Sequence, residues 1–300
     1  MTMIRINRRD FNALAAVILL ARPAFAQTNE ASLITRAIPG TGERVPAVGL
    51  GTASVFNRDD ERTQSAAMKV VRTLVDAGGR LIDTASTYGD AEIVLGNVIT
   101  AGALGDKLFV ATKLEAPDAA ELKRSLARLR VAKVDLLQLH NVRDPQQSLA
   151  QFRAWKAQGL CRYIGITSTY HGDFAAIAAV LGREKPDFVQ IDYSLDDREA
   201  EVRILPLAAE VKAGVLTALP FGRGRLFSAV RGKAIPDWAK EFAGSWAQFF
   251  LKFLLADERV TAVIPGTSNP AHMEDNLGAM RGRLPDPDQR KRMVAFMGSL

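Results

Sequence analysis

Four ionisable side chains of different kinds stand at comparable points of the chain. Asp83 ends one short apolar run, Lys113 directly follows the next, His140 directly follows the one after, and Tyr88 lies five residues beyond Asp83. A carboxylate, an ammonium, an imidazole and a phenol are groups that hold, tune and move a proton. Each has an ordinary explanation when taken singly: an aspartate opening a Thr/Ser turn caps it, and a lysine after a strand points to solvent. At corresponding ends of neighbouring runs they project toward one mouth, and a shared site explains all four at once.

The runs that carry them belong to a longer series. From residue 46 onward, β-rich apolar segments occur at Ala47–Thr52, Leu81–Asp83, Leu108–Thr112, Val134–Leu139, Tyr163–Thr167, Phe188–Asp192, Val215–Leu219 and Ala262–Pro265. From the second to the seventh their starts are 25 to 29 residues apart, a strand-plus-helix repeat, and only the last interval, 47 residues, contains an insertion. Between them, Leu122, Leu126 and Leu129, or Phe242, Trp246, Phe249, Phe250 and Phe253, recur in steps of three and four and lay one apolar face on a sheet. Those aromatics read as core. Eight parallel strands bury both faces by closing into an α/β (β/α)8 TIM barrel, whose loops after the strand ends form the site. A doubly wound sheet is the rival, but Gly49-Leu50-Gly51-Thr52-Ala53-Ser54 lacks the third glycine and the helix start of a dinucleotide fingerprint. Residues 34–46, turning at Pro39-Gly40-Thr41-Gly42, read as a hairpin capping the barrel's bottom. The Pro285-Asp286 start and the spacing of Met293, Phe296 and Met297 predict an extra C-terminal helix on the outside.

Three hundred residues, 48% of them hydrophobic, suit one such domain. The positive and negative residues are interspersed, which argues against nucleic-acid binding. Cys161 is the one cysteine, so no internal disulfide forms, and it reads as an inert buried thiol. His171 and His272 stand apart along the chain from any cluster with zinc-ligand spacing, and no metal is expected.

The N-terminus reads as an address. Asn7-Arg8-Arg9-Asp10-Phe11 precedes an apolar stretch, Ala13–Ala21, and then Ala24-Phe25-Ala26 before Gln27: charged region, short apolar region, cleavage site. The apolar stretch is too short to span ~30 Å of hydrocarbon, which argues against a permanent anchor. The paired arginines resemble the twin-arginine export motif, by which folded proteins cross the membrane, and an ordinary secretory signal is the alternative. The expected division is therefore a signal peptide at residues 1–26 and a barrel at 27–300, periplasmic or otherwise exported, with the export machinery as partner. Residues 1–26 hold four arginines and one aspartate, so their removal lowers the formal charge from +6 to +3.

The segments Leu81-Ile-Asp-Thr-Ala-Ser-Thr-Tyr-Gly-Asp-Ala-Glu-Ile-Val-Leu-Gly96, Val110-Ala-Thr-Lys113 and Asp135-Leu-Leu-Gln-Leu-His140 resemble the signatures of the aldo/keto reductase family, in the family's order. The resemblance runs from about residue 34 to 280. It implies Asp83, Tyr88, Lys113 and His140 as a catalytic tetrad in the NAD(P)H-dependent reduction of small aldehydes or ketones. In that reading Lys113 stabilises the Tyr88 phenolate, Asp83 holds Lys113, and His140 bonds the substrate oxygen; a cation is needed because a free phenol, with a pKa of about 10, is a sluggish acid near neutrality.

The resemblance also implies a nucleotide site around Gly51, Thr52 and Asp83, around Thr167, Ser168 and Gln190, and around Phe221, Arg223 and Arg225. After the eighth strand it continues through Gly266, Thr267, Ser268, His272 and Asn276. Thr167-Ser168 stands where the family commonly has Ser-Asn, and Ala218 stands where many members place a ring-stacking tyrosine, a role Phe221 is the candidate to fill. Gly266 and His272 replace the lysine and arginine of many NADPH-preferring members, which removes a bidentate contact to a 2′-phosphate. NADPH is the expected cofactor and NADH the alternative. Another class of function stays open at this stage: an exported barrel that carries a tightly bound nucleotide as a ligand-binding or trapped-cofactor redox protein.

Overall fold

The computed structural model describes residues 33–142 and 145–300, so the expected export signal at residues 1–26 lies outside the described residues. Residues 33–300 form one unit. Thr35–Ala37 (β1) and Arg44–Pro46 (β2) pair as the antiparallel hairpin expected over 34–46.

Eight strands follow: Leu50–Gly51 (β3), Leu81–Asp83 (β4), Phe109–Leu114 (β5), Val134–His140 (β6), Cys161–Ser168 (β7), Phe188–Asp192 (β8), Gly214–Ala218 (β9) and Ala262–Val263 (β10). Each lies within one of the eight apolar runs or overlaps it by most of its length. Helices Glu61–Asp76 (α1), Ala91–Gly102 (α2), Ala119–Leu129 (α3), Pro145–Ala157 (α4), Phe174–Glu184 (α5) and Ile204–Glu210 (α6) occupy the successive intervals from β3 to β9. The 47-residue interval holds Arg225–Ala229 (α7) and Trp246–Leu255 (α8), and Pro270–Gly278 (α9) and Pro287–Gly298 (α10) follow β10.

The strands are parallel neighbours in chain order from β3 to β10. The sheet closes where the first meets the last: Gly49 N donates to Val263 O at 2.8 Å, Val263 N to Ala47 O at 2.9 Å, and Gly51 N to Pro265 O at 3.1 Å. A Cβ on Gly51 would stand 2.9 Å from Ile264 O, and one on Gly49 would stand 2.8 Å from Leu81 O. The two glycines weighed as a nucleotide fingerprint therefore belong to the barrel seam, where backbones approach too closely for a side chain.

Alternation along each strand sorts the interior into layers. Leu81, Phe109, Leu136, Tyr163, Phe188, Leu216 and Ala262 face inward and pack with Ile38 and Val45 of the hairpin, which closes the bottom as expected. Their outward neighbours, among them Ile82, Val110, Leu137, Ile164 and Val189, join the second core between strands and helices. Two or four residues further on, the same inward register reaches Asp83, Lys113, Gln138, His140, Thr167, Gln190 and Asp192. Period two thus puts the polar groups on the mouth side of an apolar floor.

One outward residue braces this arrangement. Glu92 of α2, 1% exposed, accepts hydrogen bonds from Thr112 of β5 at 2.6 Å, Arg128 of α3 at 2.8 Å, and Ser125 of α3. A buried carboxylate with three donors fixes two helices and the strand residue preceding Lys113. The C-terminal helix α10 starts with a capping box between Asp286 and Gln289, buries Met293, and stacks Phe296 on Trp246, so it lies on the outside as predicted.

Candidate active site

Asp83 and Lys113 arrive at the mouth on adjacent strands whose register pairs Asp83 with Ala111. Lys113 Nζ donates to Asp83 Oδ2 at 2.5 Å and to Thr84 O at 2.8 Å, and the lysine is 1% exposed. Gln138 of β6 donates to Asp83 Oδ1 at 3.1 Å, so both carboxylate oxygens are engaged. Burial alone would push the ammonium toward the neutral amine. The Asp83 carboxylate and the Tyr88 side chain outweigh that penalty and hold the Lys113 pKa above the ordinary lysine value.

Tyr88 sits half-buried on the loop after β4, and the Lys113 ammonium lies 4.9 Å from its ring centroid. The His140 ring meets the Tyr88 ring edge-on, with centroids 5.8 Å apart. Thr87 Oγ1 is 3.3 Å from His140 Nδ1, and Glu115 Oε1 is 3.6 Å from the same nitrogen. The four residues singled out by sequence are therefore brought together, with a charged lysine beneath a phenol and an imidazole beside it.

The other side of the mouth is wired differently. Thr167 Oγ1 donates to Gln190 Oε1 at 3.1 Å, which turns the amide so that Gln190 Nε2 has no acceptor among the described residues, although the residue is 2% exposed. Thr52 Oγ1 is likewise buried without a partner. Ser168 departs from expectation: its hydroxyl donates to Asp173 at 2.5 Å and accepts from Tyr170 N at 3.1 Å, so it is committed to the turn entering α5. Tyr193 is fully buried and bonded to Glu201 and Arg290, a structural tyrosine; burial pushes its pKa far up.

A cavity of about 420 Å³ lies over β10 and α9, lined by Phe221, Phe227, Trp246, Ala247, Gly266, Thr267, His272, Asp275 and Asn276. Phe221, Gly266, Thr267, His272 and Asn276 were expected around a nucleotide, and they share this cavity. Ser268, Arg223 and Arg225 do not line it: Ser268 is exposed, Arg223 is exposed at φ 54°, and Arg225 pairs with Asp196 at 2.8 Å. Trp246 corrects the reading that its whole helix face is core, since it turns to the cavity while Phe249, Phe250 and Phe253 are buried. Phe227, Trp246 and Asp275 were missed. The first two come from the insertion, where no repeat fixes a register. Gln138 was missed too, but two residues before His140 on one strand is the same face, and that signal was legible.

His171 is not isolated, as its sequence neighbours suggest. The fold sets its Nε2 2.8 Å from Asp197 and its Nδ1 2.9 Å from Glu199, with Asp192 alongside. His272 stands apart from that group, in the cavity. Cys161 is buried as expected, and burial pushes its thiol up to about 12.

Comparison with known proteins agrees with this geometry. The chain is 27% identical over 252 residues to the methylglyoxal reductase YeaE of Escherichia coli, covering 80% of this chain and 87% of that protein. It is 29% identical over 266 residues to an aldo-keto reductase of Mycolicibacterium smegmatis, covering 84% and 87%. Among solved structures, an aldo-keto reductase of Klebsiella pneumoniae in complex with NADPH superposes with a TM-score of 0.75 at 24% identity, over 88% of this chain and 96% of that one. The holo form of aldo-keto reductase AKR11C1 from Bacillus halodurans gives 0.72 at 21%, over 89% and 96%. The model of the Aldo/keto reductase family matches residues 47–294, nearly the whole described barrel, and the chain belongs to that family.

Proposed function

We propose that this protein reduces small aldehydes and ketones to alcohols with a nicotinamide dinucleotide, NADPH in the first instance. The observation that carries the reading is the buried Asp83–Lys113 pair at 2.5 Å beneath Tyr88. A structural lysine has no need of full burial at a mouth, whereas a proton-donating phenol needs a cation that cannot wander into water.

The residues present fit a dinucleotide. Gln190 Nε2 is a buried donor awaiting an acceptor such as the carboxamide of a nicotinamide, and Thr267 and Asn276, 7% and 3% exposed, offer polar atoms to the adenosine end. The aromatic wall of Phe221, Phe227 and Trp246 offers a surface for a flat base. When bound, the dinucleotide supplies the hydride to the carbonyl carbon.

The chain's own residues do the rest. Tyr88 Oη donates its proton to the carbonyl oxygen, and Lys113 stabilises the negative charge left on the phenol oxygen. Asp83 and Thr84 O hold that ammonium in place, and Gln138 holds Asp83. His140, whose Nδ1 lies 3.3 Å from Thr87 Oγ1, stands beside Tyr88, and a proton on its Nε2 is what polarises a carbonyl oxygen.

The test follows NADPH oxidation with benzaldehyde for the full chain and for Tyr88→Phe. Loss of roughly 10²–10⁴ in kcat/KM, with nucleotide binding retained, is the expected result. Equal, negligible rates in both with nucleotide retained would replace this reading with that of a nucleotide carrier.

The reading extends to where the protein works. Arg8-Arg9, the apolar stretch and Ala24-Phe25-Ala26 support export of the folded barrel with its nucleotide already loaded. No helix of the described residues is long and apolar enough to cross a membrane. Arg8→Lys with Arg9→Lys should leave the protein in the cytoplasm; unchanged export in that variant would point to the ordinary secretory route.

A further inference from the structure

Three segments far from one another in their local sequence roles meet at the rim of the mouth beside β8. His171 comes from the loop after β7, Asp192 is the last residue of β8, and Asp197 lies in the loop that follows. One ligand atom from each lies within 4.8 Å of the others. His171 Nε2 is 2.8 Å from Asp197 Oδ2, while Nδ1 is 2.9 Å from Glu199 Oε2. At these distances both ring nitrogens donate to carboxylates; loss of the Nε2 proton would turn that nitrogen's lone pair toward Asp192 and Asp197 while Nδ1–H stays on Glu199, and such an outer carboxylate is the partner metal-ligating histidines almost always have.

A separate observation concerns Asp192. It is half-buried, it shares the inward register of Gln190, and it accepts no hydrogen bond from any described residue. The Asp197 carboxylate is its neighbour, and Arg223 and Arg225 are the arginines on this side of the mouth. Neither arginine makes an ion pair with it: Arg225 is committed to Asp196, and Arg223 faces solvent. A carboxylate held against another carboxylate without a donor is a group that a cation would complete.

We propose that His171 Nε2, Asp192 and Asp197 bind one divalent transition-metal ion of the zinc class, with Glu199 fixing the imidazole. One nitrogen and two carboxylate oxygens are a donor set for such an ion, and water completes a four-coordinate shell at a histidine whose side chain is 42% exposed. Metal–ligand bonds of about 2.0–2.2 Å put neighbouring donors roughly 3.4 Å apart. The present spacing brackets that value, so rotation of the two aspartate side chains is the adjustment required. Two carboxylates and a neutral imidazole balance the ion's charge. Where Nε2 carries a proton, binding releases it to solvent. The ion would tie the loop after β7 to the loop after β8, next to Thr167 and Gln190 but outside the tetrad.

The sequence makes the site assignable, because the chain holds three histidines and one cysteine, and that cysteine is buried. The full chain, stripped with EDTA, is titrated with Zn²⁺ against a chromophoric chelator, and the cobalt form is followed by its visible spectrum. The wild type should take one Zn²⁺ per chain with a Kd below about 1 µM. His171→Ala and Asp192→Asn should each weaken it by at least ~100-fold, Glu199→Gln by roughly 10–100-fold, and His272→Ala not at all. Melting without zinc checks that each variant is folded; should His171→Ala fail to fold, Asp192→Asn and Glu199→Gln decide. No Zn²⁺ uptake by the wild type at roughly 100 µM, or uptake undiminished in the folded variants, overturns the proposal.

Discussion

Across one barrel mouth, the charged groups of β4 to β6 are bonded to one another, though Thr84 Oγ1 and Gln138 Oε1 stay without partners there, whereas on the β7 to β10 side a buried amide donor is held in reserve. Lys113 is saturated by Asp83, Thr84 O and the Tyr88 contact, and Asp83 is held again by Gln138. Opposite, Gln190 Nε2 is buried without an acceptor, and the cavity beyond it has no lysine or arginine among its lining residues. The difference follows from what each side must do. Groups that react have to be oriented before a substrate arrives, since reorganisation during the reaction would raise the barrier. Groups that bind have to leave hydrogen-bonding capacity unspent until the ligand fills it.

The sharpest way to break this contrast is Lys113→Met. It removes the cation under Tyr88 and leaves Asp83 charged and buried, so kcat/KM should fall by roughly 10³-fold or more, and urea unfolding should lose about 3–5 kcal/mol. If stability is unchanged, the wired side is not a unit. On the open side, Gln190→Leu removes a donor that no described residue satisfies. Its signature should be a KM for the dinucleotide about tenfold higher, with kcat within roughly threefold and the unfolding midpoint hardly moved. A large stability loss would mean that Gln190 is structural after all. His272→Arg adds the guanidinium that the cavity lacks, and should tighten NADPH by about tenfold while leaving NADH unchanged, as read by quenching of Trp246 fluorescence.

The smallest effect expected is an absence of change with pH. Because the folded pKa of Lys113 is raised, the stability it contributes is fully present below the ordinary lysine value and is lost only as pH rises through the higher folded value. Urea midpoints measured between pH 7 and 10 should therefore show no loss from this pair, and a steep decline below pH 10 that Lys113→Met abolishes would contradict the direction of the shift.

Much of this was legible in the sequence because strands and helices are local. Period two along Leu81-Ile82-Asp83 or Phe109 to Lys113 fixes which side chains face inward, and the near-constant interval between runs fixes that they face the same end. The hairpin was legible from its turn. What stayed hidden needs contacts that no spacing encodes. Ser168 was expected to bind cofactor, yet Asp173, five residues later, takes its hydroxyl for a turn. Trp246 reads as core from its helical period, but its place at the end of that helix turns it to the cavity. His171 has no partner nearby in sequence on its N-terminal side; Asp192, Asp197 and Glu199 reach it only because β7 and β8 are neighbours. Spacing finds sites built on the repeated strand ends and misses sites assembled from a strand end and two irregular loops.

The seam between β3 and β10 joins Ala47 and Gly49 to Val263, and Ile34 N donates to Met280 O at 2.7 Å. Contacts of such sequence separation make the last step of folding the slowest to find by diffusion, because the whole intervening chain must be ordered for the ends to meet. During synthesis, the hairpin and β3 leave the ribosome ahead of the other strands and wait with their edges unpaired until the eighth strand of the barrel emerges. In that interval the barrel is an open, strand-edged sheet with an apolar interior, the form most prone to aggregate and most in need of a chaperone.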